Sequence, residues 1–259
     1  MPDSRPGGSS TTRSLTGSAP AFRDAHPVLP RTLPAGYQAA AALPPFGVEP
    51  IRELMARLRK PTADVEHFVR DLIAGGASPD QLMMELFAPT ARQLGRMWET
   101  DECSFVEVTV AVARLQQLVH VASEALRLSP GPRPALGRAL VAWVPGEQHS
   151  LGLTMVAEYL RRDGWELVVA PAHTDARGLV SLAAQEWFDV VALSAAGDRQ
   201  IVKLRRLVND LRRAGRNRDV RVMVGGSLFE DRKDLVQRVG ADGWAPDAPG
   251  AARLAAELL

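Results

Sequence analysis

Residues 139–152 read ALVAWVPGEQHSLG, and this stretch decides the fold. Its first part, Ala139–Val144, is apolar throughout, which is typical of a strand buried on both faces of a parallel sheet. A proline–glycine turn then leads into a polar loop, and a helical pattern begins near Ser150. A strand, a loop and a helix in this order form one βα unit.

Four further units of the same kind follow along the chain. The remaining predicted strands are Glu166–Ala170, Val190–Ser194, Val220–Val224 and Gly243–Ala245, and the later helices are predicted to start near Asp175, Arg199, Phe229 and Asp247. Five such units with apolar central strands predict an α/β fold with a five-stranded parallel sheet covered on both faces. Because crossovers between parallel strands are right-handed, we expect the flavodoxin-like (Rossmann-type) strand order 2-1-3-4-5.

Helical signals fill the region that precedes this sheet. A short helix over Ile51–Lys60 is expected to stop at Pro61, and Thr62 is predicted to cap a second helix that runs to Ile73. Two capping boxes, beginning at Ser78 and Ser104, open the third and fourth helices. The third is predicted to run to about Trp98 with a bend near Pro89, and the fourth has apolar positions at Val106, Val110, Ala113, Leu118, Val121 and Leu126. Four helices with short connections predict a four-helix bundle.

The predicted organisation therefore has four parts. Residues 1–48 are a Pro/Gly/Ser-rich tail, predicted to be disordered and lacking the periodicity of a helix-turn-helix or winged-helix module. Residues 49–129 form the helical bundle, residues 130–134 a proline-rich linker, and residues 135–259 the α/β domain.

Composition excludes several classes of protein. Lys+Arg 31 against Asp+Glu 30 gives a net charge of +1, which disfavours binding of nucleic acid through overall charge. No apolar run approaches the roughly 20 residues of a membrane span, and no signal peptide follows Met1. The single cysteine, Cys103, excludes an internal disulfide and a cysteine-based zinc cluster. A soluble cytoplasmic protein with no membrane association is expected.

Ligands of doubly wound sheets bind beyond the carboxyl ends of the strands, so the loops there are the candidate site. They are residues 145–152, 194–198 and 225–227. The first loop lacks the G-x-G-x-x-G spacing of dinucleotide folds and the Gly-Lys-Ser/Thr end of a P-loop. A phospho-accepting receiver domain would need an aspartate where Ser194 ends the third strand. We therefore expect neither a nucleotide site of these kinds nor a catalytic constellation, and predict that the protein is not an enzyme.

Three short motifs on these loops resemble those of the cobalamin-binding domain. The first reads Glu147-x-His149-x-x-Gly152, with glutamate where the family pattern has aspartate. The second is Ser194-Ala195-Ala196, which departs from the S-x-L pattern at its third place, and the third is the pair Gly225-Gly226. The separations of 41 residues between Gly152 and Ser194 and of 28 residues between Ala196 and Gly225 agree with the family.

The resemblance implies a specific role for each of these residues. His149 would be the lower axial ligand of cobalt after the corrinoid's own benzimidazole has left, since neutral imidazole suits such a metal. Glu147 would accept a hydrogen bond from the other ring nitrogen and so fix the tautomer and the direction of the ring. Gly225, Gly226 and Ser194 would line a slot for the detached nucleotide tail. The predicted cofactor contacts are completed by Gln148, Ser150, Gly152 and Ala196.

The bundle adds a resemblance to a narrower family. Trp98 lies where related bundles place a tryptophan over the upper corrin face, where a large ring excludes water. Light-sensing transcription factors of the CarH kind carry Glu-His after a tryptophan and nine residues, but here that pair is Val108-Thr109. Residues 98–109 (WETDECSFVEVT), Arg114–Gln116 and Pro145–His149 instead resemble the AerR/PpaA photosynthesis antirepressors and the corrinoid- or haem-sensing segment of AppA-type proteins. This resemblance covers about residues 50–259.

The antirepressor resemblance implies a light-responsive transcriptional regulator that binds cobalamin in its adenosyl or hydroxo form. It would act on a CrtJ/PpsR-type repressor of photosynthesis genes and reach DNA only through that partner. Two alternatives remain: a corrinoid methyl-carrier protein that serves a methyltransferase, and a haem or other tetrapyrrole sensor.

Four other features have a structural interpretation as well as a functional one. Cys103, His67 and His120 could reach the upper face, although packing or surface roles are favoured. The stretch 203–221 has eight basic residues against Asp210 and Asp219, and is either a solvated helix face or a docking face for the repressor or DNA.

Overall fold

The computed structural model describes residues 46–60, 62–127, 135–147 and 149–259. The predicted tail, apart from its last residues, the predicted linker, Pro61 and the predicted contact residue Gln148 lie outside these ranges. In the described part the order is a helical region followed by five alternating βα units.

The helical region contains α1 (Val48–Leu58), α2 (Val65–Ala74), α3 (Pro79–Gln81), a π-helical segment (Leu82–Phe87), α4 (Ala88–Glu99) and α5 (Phe105–Arg127). The capping box at Ser78 is confirmed, and α3, the π-helical segment and α4 follow one another directly. Helix α2 is capped by Asp64, which accepts a hydrogen bond from His67 N, so the prediction that Thr62 caps it is wrong. Asp64 is the N-cap residue because its carboxylate lies within reach of the free backbone N–H groups of the first turn.

The structure adds detail to two other predictions for the bundle. Before Pro89 the backbone widens into π-helical turns, with Ala88 N bonded to Met83 O, because proline supplies no N–H to the carbonyl four residues earlier. Of the apolar positions predicted for α5, Leu118 is buried, whereas Val106 and Val110 are exposed, at 68% and 44%. The other buried residues in the described part of this helix are Ala111, Leu115, Val119, Ala122 and Ser123.

The α/β region forms a five-stranded parallel sheet in the order β2-β1-β3-β4-β5, as predicted. Its strands are β1 (Arg138–Trp143), β2 (Glu166–Val169), β3 (Val190–Ser194), β4 (Arg221–Gly225) and β5 (Gly243–Trp244). The connecting helices are α6 (Leu151–Arg162), α7 (Ala176–Gln185), α8 (Ile201–Ala214), α9 (Asp234–Val239) and α10 (Ala248–Glu257). Helix α9 starts at Asp234 rather than near Phe229, because buried Phe229 ends a short 3₁₀ turn and the apolar pair Leu235 and Val239 fixes the helix later.

The two faces of the sheet have different cores. On one face, α7, α8 and α9 cover apolar residues such as Val191, Leu193 and Val222. On the other, α6 and α10 share one continuous apolar cluster with the helical bundle. Tyr159 of α6 is buried in this cluster, and Arg162 stacks on its ring and pairs with Asp80 at 2.8 Å. The described residues accordingly belong to one compact unit.

Helix α5 requires a correction to the expectation that no segment is apolar and long enough to span a membrane. Phe105–Glu124 meets that criterion by length and composition, with a mean hydropathy of 1.2. In this structure, however, Leu115, Leu118 and Val119 of α5 pack in the bundle core. Arg114 donates hydrogen bonds to carbonyls around the end of α1, including Leu58 O at 2.9 Å. These contacts hold one side of α5 in the bundle, and 28% of the segment is buried.

Candidate functional site

The three loops singled out in the sequence meet at one edge of the sheet. Trp143 at the end of β1 is in register with Ser194 at the end of β3, and Ser194 is in register with Gly225 at the end of β4. Backbone hydrogen bonds continue past the strands, from Val144 N to Ser194 O and from Ala195 N to Gly225 O, both at 3.0 Å. Side chains from all three loops therefore project from neighbouring positions.

A buried carboxylate organises the first loop. Glu147 is 8% exposed, and its Oε1 accepts hydrogen bonds from His149 N at 2.8 Å and, on the tautomer that places the proton there, from His149 Nδ1 at 2.6 Å. Its Oε2 accepts a hydrogen bond from Ala196 N on the β3 loop, also at 2.6 Å. One carboxylate thus fixes the histidine and ties the β1 loop to the β3 loop. The extra methylene of glutamate leaves the contact with the imidazole short.

The imidazole of His149 is directed outward. Its side chain is 76% exposed, and among the described residues its Nε2 has no hydrogen-bond partner. The hydrogen bond to Glu147 raises the pKa of His149, burial opposes this, and the charges of Glu147 and Glu99 add to the rise. With Nδ1 engaged by the carboxylate, Nε2 is the atom available to a metal.

The glycine pair after β4 has two different functions. Gly226 has φ +101°, and a Cβ there would lie 2.2 Å from Ala195 O, so only glycine fits. Gly225 has no such restriction, since a Cβ would meet Ala245 O at 3.7 Å, an ordinary contact distance. Gly226 is therefore required by the close approach of the β3 and β4 loops, whereas Gly225 is not required by the backbone.

An open cavity of about 770 Å³ lies beside His149. Of the predicted cofactor contacts, Glu147, His149 and Ala196 line it. Ser150, Gly152, Ser194, Gly225, Gly226 and Trp98 are not among the described residues of its wall. The remainder of the lining consists of Pro145, Gly146, Gly197, Asp198, Arg199, Gln200, Lys203, Ser227, Leu228, Asp231 and Arg232.

Sequence reasoning missed Gln200 and the charged residues of this wall. Gln200 is buried, and its Oε1 faces Ala196 N at 3.3 Å. Arg232 crosses from the β4 loop to Asp198 on the β3 loop at 2.7 Å. Their position just beyond β3 and β4 was the available signal, because every residue that follows those strands is near the site.

The bundle reaches the same edge of the sheet. Gln116 of α5 donates a hydrogen bond to Ser150 Oγ at 2.5 Å, next to His149. Glu99, which follows Trp98 at the end of α4, is close enough to affect the charge state of His149. Large apolar side chains are exposed around this end of the bundle: Trp98 (47%), Phe105 (62%), Val106 (68%) and Val110 (44%). No described contact places Trp98 in the cavity, and its function as a cover stays a prediction.

The other suspect residues have structural contacts. Cys103 is buried, with its Sγ 4.0 Å from Leu94 O. His67 lies beside Asp71 on α2 at 3.4 Å, and His120 lies 3.6 Å from Glu158. Glu107 accepts a hydrogen bond from Ser104 N at 2.9 Å and completes the second capping box. These contacts account for the four side chains without a ligand.

Comparison with known proteins identifies the domain. Residues 137–253 match the model of the B12 binding domain. The chain is 33% identical over 166 residues to the "uncharacterized 20.5 kDa protein in bchF-crtJ intergenic region" of Rhodobacter capsulatus, an alignment that covers 63% of this chain and 84% of that protein. The chain belongs to this family of B12 binding domain proteins.

Corrinoid proteins share the same architecture as this B12 binding domain protein. Trimethylamine corrinoid protein 1 of Methanosarcina acetivorans is 22% identical over 195 residues, which cover 73% of this chain and 89% of that protein. The structure of Methanosarcina barkeri monomethylamine corrinoid protein superposes with a TM-score of 0.69 at 18% identity, over 82% of this chain and 99% of that one. The latter likeness confirms the flavodoxin-like fold with its preceding helices.

The side chains around His149 fit a metal that arrives with its own ligands. No group of three His, Cys, Asp or Glu side chains in the described ranges could hold a bare ion. A single outward imidazole, oriented by a buried carboxylate, is the donor that a cobalt already bound by four corrin nitrogens requires. The B12 binding domain and this donor set both support cobalamin as the cofactor.

Replacing Glu147 with glutamine should weaken cobalamin binding by about 10- to 100-fold, because the orientation of the ligand histidine depends on this carboxylate. Both carboxylate oxygens of Glu147 now accept hydrogen bonds from N–H groups. In glutamine one of these oxygens is replaced by an NH2 group, so at least one N–H donor would face another donor. Titration with hydroxocobalamin, followed by visible absorption, measures the change. Glu99→Gln is the matched control: it removes a charge near His149 without breaking a described hydrogen bond. Equal affinities for both variants would contradict the function assigned to Glu147.

Proposed function

We propose that this protein is a cobalamin-binding, light-responsive antirepressor that acts in the cytoplasm on a CrtJ/PpsR-type repressor of photosynthesis genes, and that it is not an enzyme. The outward His149 held by buried Glu147 is the observation that carries the cofactor part of this proposal. The regulatory part is supported by the relative from the bchF-crtJ intergenic region and by the residues shared with the AerR/PpaA antirepressors.

In this proposal each part of the site has one task. His149 Nε2 would hold the cobalt, and Glu147 would keep the imidazole in the tautomer that leaves Nε2 free to do so. Trp98 and the apolar side chains near it cover the upper face and exclude water. Bound as the adenosyl or hydroxo form, cobalamin would supply a cobalt centre that responds to light. The hydrogen bond from Gln116 to Ser150 links the histidine loop to the bundle. The elements proposed to contact the two faces of the cofactor are therefore connected.

The experiment compares the full chain with and without cobalamin, in the dark and after illumination. Visible spectra should differ between dark and light, and only one of the two states should release a CrtJ/PpsR-type repressor from its operator in a gel-shift assay. Binding of cobalamin with no effect of either state on the repressor would eliminate the antirepressor function and leave the cofactor assignment intact. Haemin that displaces cobalamin at equal concentration would favour the tetrapyrrole-sensor alternative.

A corrinoid methyl carrier is the second candidate function. The similarity to trimethylamine corrinoid protein 1 across 73% of this chain favours it. The discriminating assay incubates the cobalamin-loaded protein with a methylated amine and a corrinoid-dependent methyltransferase. Transfer of the methyl group to the protein-bound cobalt would rank this function above the antirepressor.

A further inference from the structure

The charge of the chain is concentrated in one segment. Residues 199–221 contain nine of the 31 basic residues and two of the 30 acidic residues, which gives the segment a net charge of +7. The whole chain has a net charge of +1, so the remainder carries a charge of −6. This segment corresponds to the turn before α8, α8 itself and the start of β4. A near-neutral protein therefore presents one strongly basic element.

Packing fixes the direction in which α8 presents its charges. Leu204, Leu207, Val208 and Leu211 are all buried against the sheet on the face that α7 and α9 also cover. The opposite side of the helix is exposed at Arg205, Arg206 and Arg213, and Arg218 is exposed in the turn that follows. Because the apolar stripe cannot rotate outward, the arginines are held toward solvent.

These arginines differ from their neighbours in their contacts. Arg212 pairs with Asp242 at 2.7 Å, and Arg232 pairs with Asp198 at the same distance. By contrast, Arg205, Arg206, Arg213 and Arg218 make no ion pair or hydrogen bond with any residue in the described ranges. Three guanidinium groups on α8 and a fourth in the turn after it are thus available to an external anion.

We propose that this arginine surface, defined as Arg205, Arg206, Arg213 and Arg218, binds the phosphate backbone of duplex DNA without sequence preference. Guanidinium groups match phosphate oxygens in bidentate geometry. Arg206 and Arg213 lie two helical turns apart on one side of α8, a rise of about 10 Å, along which a duplex presents several charges. The surface would add a direct DNA contact to a protein proposed to act on a DNA-bound repressor, and it needs neither cobalamin nor the repressor.

An acidic protein is the other class of partner, and the surface suits it less well. Protein interfaces are anchored by apolar and aromatic side chains at their centre. The one large apolar side chain that α8 exposes is Val202, at 62%. Apart from Asp210, the charged side chains of α8 are all cations, and such a surface matches the chemistry of phosphate binding.

The test measures anisotropy of a labelled duplex of random sequence with the full chain, with and without cobalamin. Binding should be detectable at about 50 mM salt, and the logarithm of the association constant should fall linearly with the logarithm of salt concentration, with a slope of about −3 to −4 for four contacts. The double variant Arg206→Ala/Arg213→Ala should reduce the steepness of that slope by about 2 and weaken binding at least about 10-fold. Circular dichroism should show an unchanged fold, since both side chains are exposed.

The matched control is Arg52→Ala/Arg70→Ala, which removes the same charge from two bundle arginines that pair with Glu49 and Glu66. The control should bind DNA like the unmodified chain. Equal weakening by both double variants would overturn the proposal, as would the absence of binding at low salt. Polyglutamate of the same charge that competes as well as DNA would assign the surface to an acidic protein instead. None of these results changes the cobalamin assays, so failure here is distinguishable from failure of the antirepressor function.

Discussion

Replacing His149 with alanine should remove the protein nitrogen from cobalt and lower the affinity for cobalamin by at least about 100-fold. The effect should exceed the 10- to 100-fold loss expected when only the partner of a ligand histidine is removed. The structure gives the physical reason: His149 Nε2 is the outward nitrogen beside the cavity, and its ring is already oriented by Glu147. No other histidine lines the cavity within the described residues.

Electron paramagnetic resonance of the Co(II) state measures the coordination directly. Protein grown with ¹⁵N-histidine should convert the nitrogen splitting from a triplet to a doublet, because the coordinating nitrogen then comes from the protein. The His149→Ala variant should lose this isotope effect, while His67→Ala, an exposed histidine beside Asp71 on α2, should retain it. An isotope effect that survives in His149→Ala, or a triplet in the labelled unmodified protein, would refute His149 as the ligand.

Gly226→Ala should be the most destabilising single-methyl change at the site. The residue has φ +101°, and a Cβ would lie 2.2 Å from Ala195 O, so the β3 and β4 loops would have to separate. The combined cost of backbone strain and overlap is on the order of 4 kcal/mol of unfolding free energy, which corresponds to a fall in Tm of about 10 °C. Urea unfolding of the cobalamin-free protein measures it.

Gly225→Ala is the neighbouring control. Its Cβ would meet Ala245 O at 3.7 Å, so the free energy of unfolding should change by less than about 1 kcal/mol. If the nucleotide tail passes this glycine, as the sequence resemblance implies, Gly225→Ala should nevertheless weaken cobalamin binding. Equal stability losses for the two variants would show that the overlap at Gly226 is relieved elsewhere, and would contradict the constraint described here.

The sheet was predictable because its signals are local and strong. Apolar strands such as Val190–Ser194 and caps such as Asp175 and Asp247 determine their elements within a few residues, and the strand order follows from the handedness of the crossovers. The buried side of α5 was not predictable in this way. Val106 and Val110 are as apolar as Leu115 and Leu118, and which side faces the core depends on tertiary packing.

The candidate site is likewise predictable only in part from the sequence. The pairing of Glu147 with His149 spans two residues and is visible in the sequence. The bond from Glu147 to Ala196 spans 49 residues, and the contact between Gln116 and Ser150 spans 34, so both needed the structure. The sequence resemblance assigns Gly226 to a ligand slot. In the structure, the lack of a side chain at Gly226 allows the β3 and β4 loops to approach each other.

The apolar cluster that the bundle shares with α6 and α10 opposes separation of the helices from the sheet. Swinging the helices away from the sheet as a rigid lid would bring side chains such as Leu118 and Tyr159 into water, at a cost of several kcal/mol. The amide–hydroxyl link between Gln116 of α5 and Ser150 of the histidine loop therefore joins two parts of the protein that this cluster holds together.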